Sequence, residues 1–403
     1  YDVINARAQN TFYKRHPYNI IRLELGKTFP DDTKNNNRYT RAAETFKNWR
    51  KNGVFIQDQQ PSFYLYRQEF TVNDTKYVRT GFIAGLKCVE YAPGAVLPHE
   101  ETLPKAKKDR KLLMKACQAN FSSIFGLYDE PERESQNLLL KACQSKEADC
   151  SVTDDLGIAH RLWVINDRKL ISKVQKKLSG KTVYIADGHH RYETALSHAK
   201  EMRAAGKPGY DHVMVTLVNL YDEGLIILPT HRMLKNLPPI NLQALLEECE
   251  KYFSVAEIEA TVPNIVSKLN SVGRTAFVIY AGKDKAFLLS LTSGCKPETL
   301  HGQHKSVHWR KLDVSILHSL VLDNILGIGS AAMASGNYIA YTRDAGEALE
   351  NVNTGSYQLS VLMKPTKLEQ VTAVASAGDK MPQKSTYFYP KLIAGLVINP
   401  LGE

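Results

Sequence analysis

The sequence predicts an α+β protein in which mixed and antiparallel sheets pack against helices. Two patterns and one size argument support this. Aromatic-rich segments with partial alternation come in neighbouring pairs joined by turn residues, as in hairpins. Segments with apolar residues at helical spacing are mixed among them, which argues against a doubly wound parallel sheet. The chain of 403 residues, 43% hydrophobic and 23% charged, is long enough for a large core and two subdomains.

The elements follow in order. Residues 34–37, Lys-Asn-Asn-Asn, read as a loop, and 39–51 as a helix ended by the turn Asn52-Gly53. Ser62 to Phe70 and Tyr77 to Cys88 read as paired strands. A helix is expected over 106–118, a strand over Ser123 to Tyr128, a helix over 132–144, a strand over 157–165 and a helix from Lys169 to Leu178. Val213 to Asn219 and Leu225 to Leu228 read as a hairpin through Tyr221-Asp222-Glu223-Gly224; its second strand runs into Pro229-Thr230-His231-Arg232 at a sheet edge. Residues 241–252 and 262–271 look helical, and Ala276 to Tyr280 with Ala286 to Leu291 form another hairpin. Leu312 to Leu326 reads as an amphipathic helix stopped by Gly327, and 357–363 and 392–398 as strands flanking a helix at about 366–375.

Composition narrows the function. No apolar run approaches the roughly 18 residues that span a bilayer, and the start has no secretory pattern. The chain begins at Tyr1 without methionine, so further upstream sequence is expected. Six cysteines, at 88, 117, 143, 150, 249 and 295, form no C-x-x-C pair, the usage of reduced thiols in a cytoplasmic protein. The formal charge of +10 suggests an anionic partner. The basic residues are scattered, and the densest run, Lys105 to Lys111, contains Asp109. No nucleic-acid-binding spacing stands out, so a phosphorylated small molecule is favoured over nucleic acid. Gly-x-Ser-x-Gly and Gly-x-Gly-x-x-Gly are absent, and His99-Glu100 is followed by Leu103 where H-E-x-x-H needs histidine.

One stretch carries chemistry most directly. Thr182 to Asp187 reads as an apolar strand, Gly188 as a sharp turn, and His189 onward as a helix burying Tyr192, Ala195, Leu196, Ala199 and Met202. A helix start offers free backbone N–H groups and the positive end of a dipole, a ready anion site. Arg191 in that first turn is unfavourable unless something negative faces it, and phosphate is the simplest candidate. The ordinary reading makes Asp187 an N-cap, Gly188 a turn and the histidines surface residues. Five residues as dense as Asp-Gly-His-His-Arg favour a ligand.

Other candidates lie on loops and strand ends. His99-Glu100-Glu101-Thr102-Leu103-Pro104-Lys105, with Asp109-Arg110 beyond, offers a carboxylate base, a mobile cation and a guanidinium. Thr230-His231-Arg232 closes a strand. Met381 to Lys391 holds two lysines, two hydroxyls and three aromatics around two prolines, with Lys384-Ser385-Thr386 echoing a phosphate loop but lacking the Walker A glycines.

These motifs, with Tyr1-Asp2-Val3-Ile4, resemble in order the bacterial family known as domain of unknown function 1015, from the first residue to the last. Its Asp-Gly-His-His-Arg element is similar to the phosphate-binding turn of the ParB/sulfiredoxin superfamily, which includes partition proteins, sulfiredoxin and free-serine kinases. The resemblance implies a ParB/sulfiredoxin-like nucleotide-binding region over 1–205, with inserted strands and helices, and an α+β region over 206–403 contributing to the same site. Sulfiredoxin needs a cysteine in the turn, where this chain has His189 and His190, and no helix-turn-helix of a partition protein is found. The free-serine kinases pair such a turn with a glutamate base, which Glu100 supplies. The expectation is therefore a phosphotransferase using ATP or ADP with Mg²⁺ to phosphorylate a small hydroxylated metabolite, free L-serine first. Gly188, His189, His190 and Arg191 would hold the phosphates with Lys105 and Arg110, and Asp187 would meet Mg²⁺. Glu100 would be the base with His190 as substitute, and His99, Thr230, His231, Arg232, Lys384 and Ser385 would touch the substrate. Two alternatives stay open: a non-catalytic nucleotide-binding switch with a nucleic-acid or protein partner, and a metal-dependent hydrolase using His189, His190 and His99. The expectation includes no membrane span and allows a homodimer.

Overall fold

A computed structural model describes residues 4–102 and 104–402; Tyr1-Asp2-Val3 of the first motif lie outside them. The fold is α+β, with a mixed sheet, an antiparallel sheet and packed helices, and it contains the expected strand–turn–helix element. Tertiary contacts divide the chain into two units. The first holds the residues up to Pro98, Thr102–Leu225 and the residues from Pro390 on; the second holds His99–Glu101 and Ile226–Tyr389.

The first unit opens with helices α1 (Ala6–Arg15), α2 (Ile21–Glu24) and α3 (Arg38–Lys51). Asn37 caps α3 in a reciprocal capping box with Thr40. Strands β1 (Phe63–Val72) and β2 (Thr75–Lys87) form the long hairpin read from the sequence. After β3 (Val96–Leu97) come α4 (Pro104–Cys117), β4 (Ala119–Asn120), β5 (Ile124–Tyr128), α5 (Glu134–Cys143), β6 (Cys150–Thr153), β7 (Ala159–Ile165), α6 (Arg168–Leu178), β8 (Val183–Asp187), α7 (His189–Ala204) and β9 (His212–Asn219). The sheet order is β3-β8-β5-β9-β2-β1-β7-β6, with β3/β8 and β5/β9 parallel and the other pairs antiparallel. Leu65, Phe82, Ile124, Ile185, Val215 and Tyr192 share one core on this sheet. Leu23, Phe46, Trp49, Leu113 and Phe121 form a second core under α2, α3 and α4.

The second unit contains β10 (Ile226–Ile227), β11 (His231–Leu234), α8 (Leu242–Glu250), β12 (Phe253–Ile258), α9 (Val262–Ser271), β13 (Ala276–Tyr280), β14 (Ala286–Leu291), α10 (Pro297–Leu300), α11 (Val307–Arg310) and α12 (Asp313–Ile316). A π-helix, Leu317–Ile325, continues α12. Then follow α13 (Ser330–Ser335), β15 (Ile339–Thr342), α14 (Ala345–Asn353), β16 (Leu359–Met363), α15 (Leu368–Ser376) and β17 (Phe388–Tyr389). The antiparallel order β12-β14-β13-β16-β11-β15 buries one face under Leu317, Leu320 and Val374 and the other under Ile265, Leu349 and Val352.

Four expectations are corrected. β9 and β10 do not form a hairpin: β10 pairs with β17. The Asp222 carboxylate accepts from Gly224 N–H at 3.0 Å, Gln136 Nε2 at 2.6 Å and Thr80 N–H at 3.3 Å, which pins the turn and diverts the chain. β11 is not an edge strand, since β15 and β16 flank it. The predicted α-helix over 312–326 is largely a π-helix, because its apolar spacing fits both geometries. Residues 392–398 form no strand; Leu392, Ile393, Leu396 and Val397 pack instead on the cluster of Tyr66, Ile83, Leu162 and Met214, and only Asn399–Pro400 pair, with β4.

Candidate functional site

The junction of β8 and α7 is shaped by three local features. Phe125 pairs with Asp187 and Gly126 with Ile185, so β8 carries Ala186 as an extra residue. Such a bulge re-aims the side chain that follows it, here Asp187. Gly126 is required opposite: an added Cβ would lie 2.9 Å from Val183 Cγ1 and 3.0 Å from Val215 Cγ2. Gly188 then adopts φ 91°, which a Cβ would strain. It is Gly188, not Asp187, that occupies the N-cap position, and no side chain caps α7. The amide of Tyr192 makes the first helical bond, to Gly188 O at 3.0 Å, and the Tyr192 hydroxyl is anchored on Val89 O at 2.7 Å.

Charge gathers at this turn. Arg191 Nη2 donates to Asp187 Oδ2 at 3.0 Å and its Nη1 to Ser123 O at 2.5 Å. Lys391 Nζ donates to Asp187 Oδ1 at 3.0 Å across 204 residues of sequence. One carboxylate therefore faces two cations and a positive helix end. Burial pushes the Asp187 carboxyl up, but the Lys391 ammonium, the Arg191 guanidinium and the neighbouring His189 hold it far below the ordinary carboxylate range. Arg191 Nε is buried without a hydrogen-bond partner. The guanidinium folds back over the turn, its Cζ 3.0 Å from where a Gly188 Cβ would stand. His189 is buried, and His190 is half-buried.

Arg110 has a structural task. It is 5% exposed and donates to Glu24 Oε2 at 2.8 Å and to Asp109 Oδ2 at 2.6 Å. Asp109 in turn accepts from Tyr39 and Arg38. Arg110 and Arg191 do line one cavity, with Glu24, Asn120 and Ser122, but at about 30 Å³ it has room for water, not for a nucleotide. Lys105 lies on α4, and its side chain is outside the described residues.

The other predicted residues belong to the second unit. His99 is fully buried, its Nε2 hydrogen-bonded to Thr386 Oγ1 at 2.9 Å. Glu100 Oε1 accepts from Lys384 N–H at 2.5 Å, and Lys384 has φ 58°, a left-handed conformation costly for a side-chain-bearing residue. Ser385 Oγ bonds Pro382 O, and its carbonyl accepts from Thr366 at 2.8 Å. Arg232 is 1% exposed and meets the carbonyls of Thr230 and Lys384, Met363 Sδ at 2.8 Å and His318 Nε2 at 3.3 Å. Burial lowers its guanidinium to about 10, still charged at neutral pH. Thr230 Oγ1 is buried with no partner, and His231 Nδ1 accepts from Met363 N–H at 3.3 Å. The sequence reading missed His318 as a neighbour of Arg232 and Lys391 as a partner of Asp187, although Lys391 ends a motif it had singled out.

Burial, and next the Arg232 charge, lower His231 to about 4, so it stays neutral in the fold where an unfolded histidine would protonate near 6.5. The unfolded state then binds the extra proton, and stability falls as pH drops from about 6.5 to about 4 and levels off below. The contribution is on the order of a few kcal/mol. Urea unfolding at both pH values measures it; His231→Gln is expected to flatten the slope, and an unchanged slope contradicts the assignment.

Comparison with known proteins places the chain. A family profile described as protein of unknown function (DUF1015) matches residues 1–315. The chain belongs to the DUF1015 family. Curated proteins yield no match to this DUF1015 chain. Among solved structures it is similar to a free serine kinase variant in complex with AMP (15% identity, TM-score 0.38, 75% of this chain and 88% of that one). It is also similar to a conserved hypothetical protein from Pyrococcus furiosus (15%, 0.35, 77% and 97%) and to SbnI with C-terminal truncation from Staphylococcus aureus (12%, 0.36, 77% and 85%). At that distance the likeness does not extend to activity. No helix of the described residues is long and apolar enough to cross a membrane.

Proposed function

We propose that this DUF1015 protein binds a nucleotide by its phosphates at the turn between β8 and α7 and transfers a phosphoryl group to a small hydroxylated metabolite. The supporting observation is the charge gathered there: Asp187 faces Arg191, Lys391 and the uncapped end of α7. Phosphate is the anion that such a set matches, since a guanidinium binds it bidentately and helix amides point at it. An arriving phosphate would replace Asp187 as the partner of Arg191 and Lys391. Asp187, held ionised, would then be available to Mg²⁺, which is satisfied by one carboxylate, phosphate oxygens and water. Bound there, the ion would supply charge neutralisation for the transfer. His190 is the half-buried imidazole of the first helical turn, and Glu100 is retained as the candidate base. The resemblance of Asp187–Arg191 to the turn of free-serine kinases makes L-serine the first acceptor to try.

Incubation with ATP or ADP, Mg²⁺ and L-serine, followed by phosphorus NMR, is expected to show phosphoserine. Glu100→Gln is expected to lower turnover about a hundredfold, the lower end of general-base contributions. No phosphorylated acceptor with any nucleotide would falsify the transferase reading, and unchanged turnover in Glu100→Gln would remove the base assignment.

A nucleotide-loaded switch is the second reading. It is favoured by the exposed basic residues Arg168, Lys169, Lys173 and Lys176 of α6. Duplex binding that requires nucleotide and weakens steeply with salt would support it. The hydrolase reading has no ligand set among the described residues, where no three His, Cys, Asp or Glu side chains gather to hold a metal.

A further inference from the structure

Lys391 reaches Asp187 from a segment without regular secondary structure, and a lysine on such a segment would ordinarily be a poorly aimed cation. The main chain on either side of it is not loosely held. Gln68 Nε2 donates to Lys391 O at 3.0 Å, and Arg79 donates to Pro390 O. Ile393 packs against the cluster that contains Tyr66. These side chains come from one sheet face. Register places His160 opposite Gln68 and Gln68 opposite Arg79, a polar row across β7, β1 and β2, with Tyr66 two residues before Gln68.

All four side chains are nearly solvent-free: Tyr66 is 3% exposed, and Gln68, Arg79 and His160 are 1% exposed. Gln68 Oε1 accepts from Arg79 Nε at 3.1 Å, which turns its amide so that Nε2 faces Lys391 O. The Tyr66 hydroxyl shares a hydrogen bond with His160 Nδ1 at 2.7 Å, and His160 Nε2 lies 3.3 Å from Asp154 Oδ2. The guanidinium of Arg79 lies over the Phe125 ring, 4.7 Å from its centroid, and Phe125 is the residue paired with Asp187 on β5. The cradle on β7, β1 and β2 and the carboxylate on β8 thus belong to one sheet, and the contact between Arg79 and Phe125 links them. Burying so many polar groups is costly unless each is matched, and beside their bonds to one another two of the matches are made to the carbonyls of Pro390 and Lys391.

We infer that Gln68 and Arg79 are positioning residues that clamp the main chain of Pro390 and Lys391 and thereby aim the Lys391 ammonium at Asp187 and at the anion expected there. The role in anion binding rests on the proposed phosphate site; the aiming of Lys391 does not.

Gln68→Glu is the informative substitution. It keeps an acceptor for Arg79, whose guanidinium offsets the added charge, and sets an oxygen against Lys391 O in place of the donor, so the clamp is weakened while the contact with Arg79 is kept. Acylation of lysine amines, followed residue by residue by mass spectrometry on the full chain, is expected to be several-fold faster at Lys391 in Gln68→Glu and unchanged at Lys173 on α6. An unchanged rate at Lys391 overturns the inference, and so does an equal rise at both lysines, which would report general loosening. ATP titrations form a second arm. Gln68→Glu is expected to weaken ATP about tenfold, the scale of one charge-assisted hydrogen bond, and to add nothing in the Lys391→Met background. Losses that add in full place Gln68 outside the Lys391 pathway and overturn the inference. If the unmodified protein binds no ATP, the proposed function falls, and the labelling rates still decide whether the clamp exists.

Discussion

Replacing Arg191 with methionine is expected to weaken ATP binding about a hundredfold, the scale of two charge-assisted hydrogen bonds to a phosphate. Methionine keeps an unbranched apolar stem in the same turn, so α7 is expected to form as before. What is lost is the guanidinium that now spans Asp187 and Ser123 O. The remaining Lys391–Asp187 pair is closer to neutral and attracts an anion less. Calorimetric titration of ATP into both proteins measures the effect. A dissociation constant unchanged by the substitution would mean that nucleotide, if bound, sits elsewhere.

Arg110→Met is expected to act on stability. It would leave Glu24, 7% exposed, as a buried carboxylate without its guanidinium, and would deprive Asp109 of one of its two arginines. Breaking a buried ion pair from one side costs about 3 to 5 kcal/mol. The loss should appear as a lower urea midpoint with an unchanged slope. ATP affinity measured on the folded protein should change far less than in Arg191→Met. Full stability in Arg110→Met, with ATP binding lost, would instead restore this residue to the phosphate site predicted from the sequence.

The contrast between these arginines shows what the sequence could disclose. Arg191 was legible because its neighbours in the chain define its setting: an apolar strand, a glycine at positive φ and a helical apolar stripe. Arg110 looked equally available because its partner Glu24 lies 86 residues away. Lys391 was part of a conspicuous motif, but the segment that carries it is held by Gln68 and Arg79, more than 300 residues earlier. Long strands such as β1 and β2 were readable from alternation, whereas β3, β4 and β10, two residues each, exist only through pairing. The false hairpin after β9 came from reading Asp222 as a turn residue without its tertiary partners Thr80 and Gln136. The π-helix was invisible because apolar periodicity cannot separate five-residue from four-residue hydrogen bonding over two turns.

The turn at Gly188 is expected to grip an anion. A crystal structure of the full chain grown with ADP and Mg²⁺ tests it most directly. A phosphate oxygen is expected within hydrogen-bond distance of main-chain N–H groups of His189 to Arg191, with the Arg191 guanidinium and Lys391 ammonium turned from Asp187 onto the phosphate. A nucleotide bound away from this turn, with both cations still on Asp187, would contradict it.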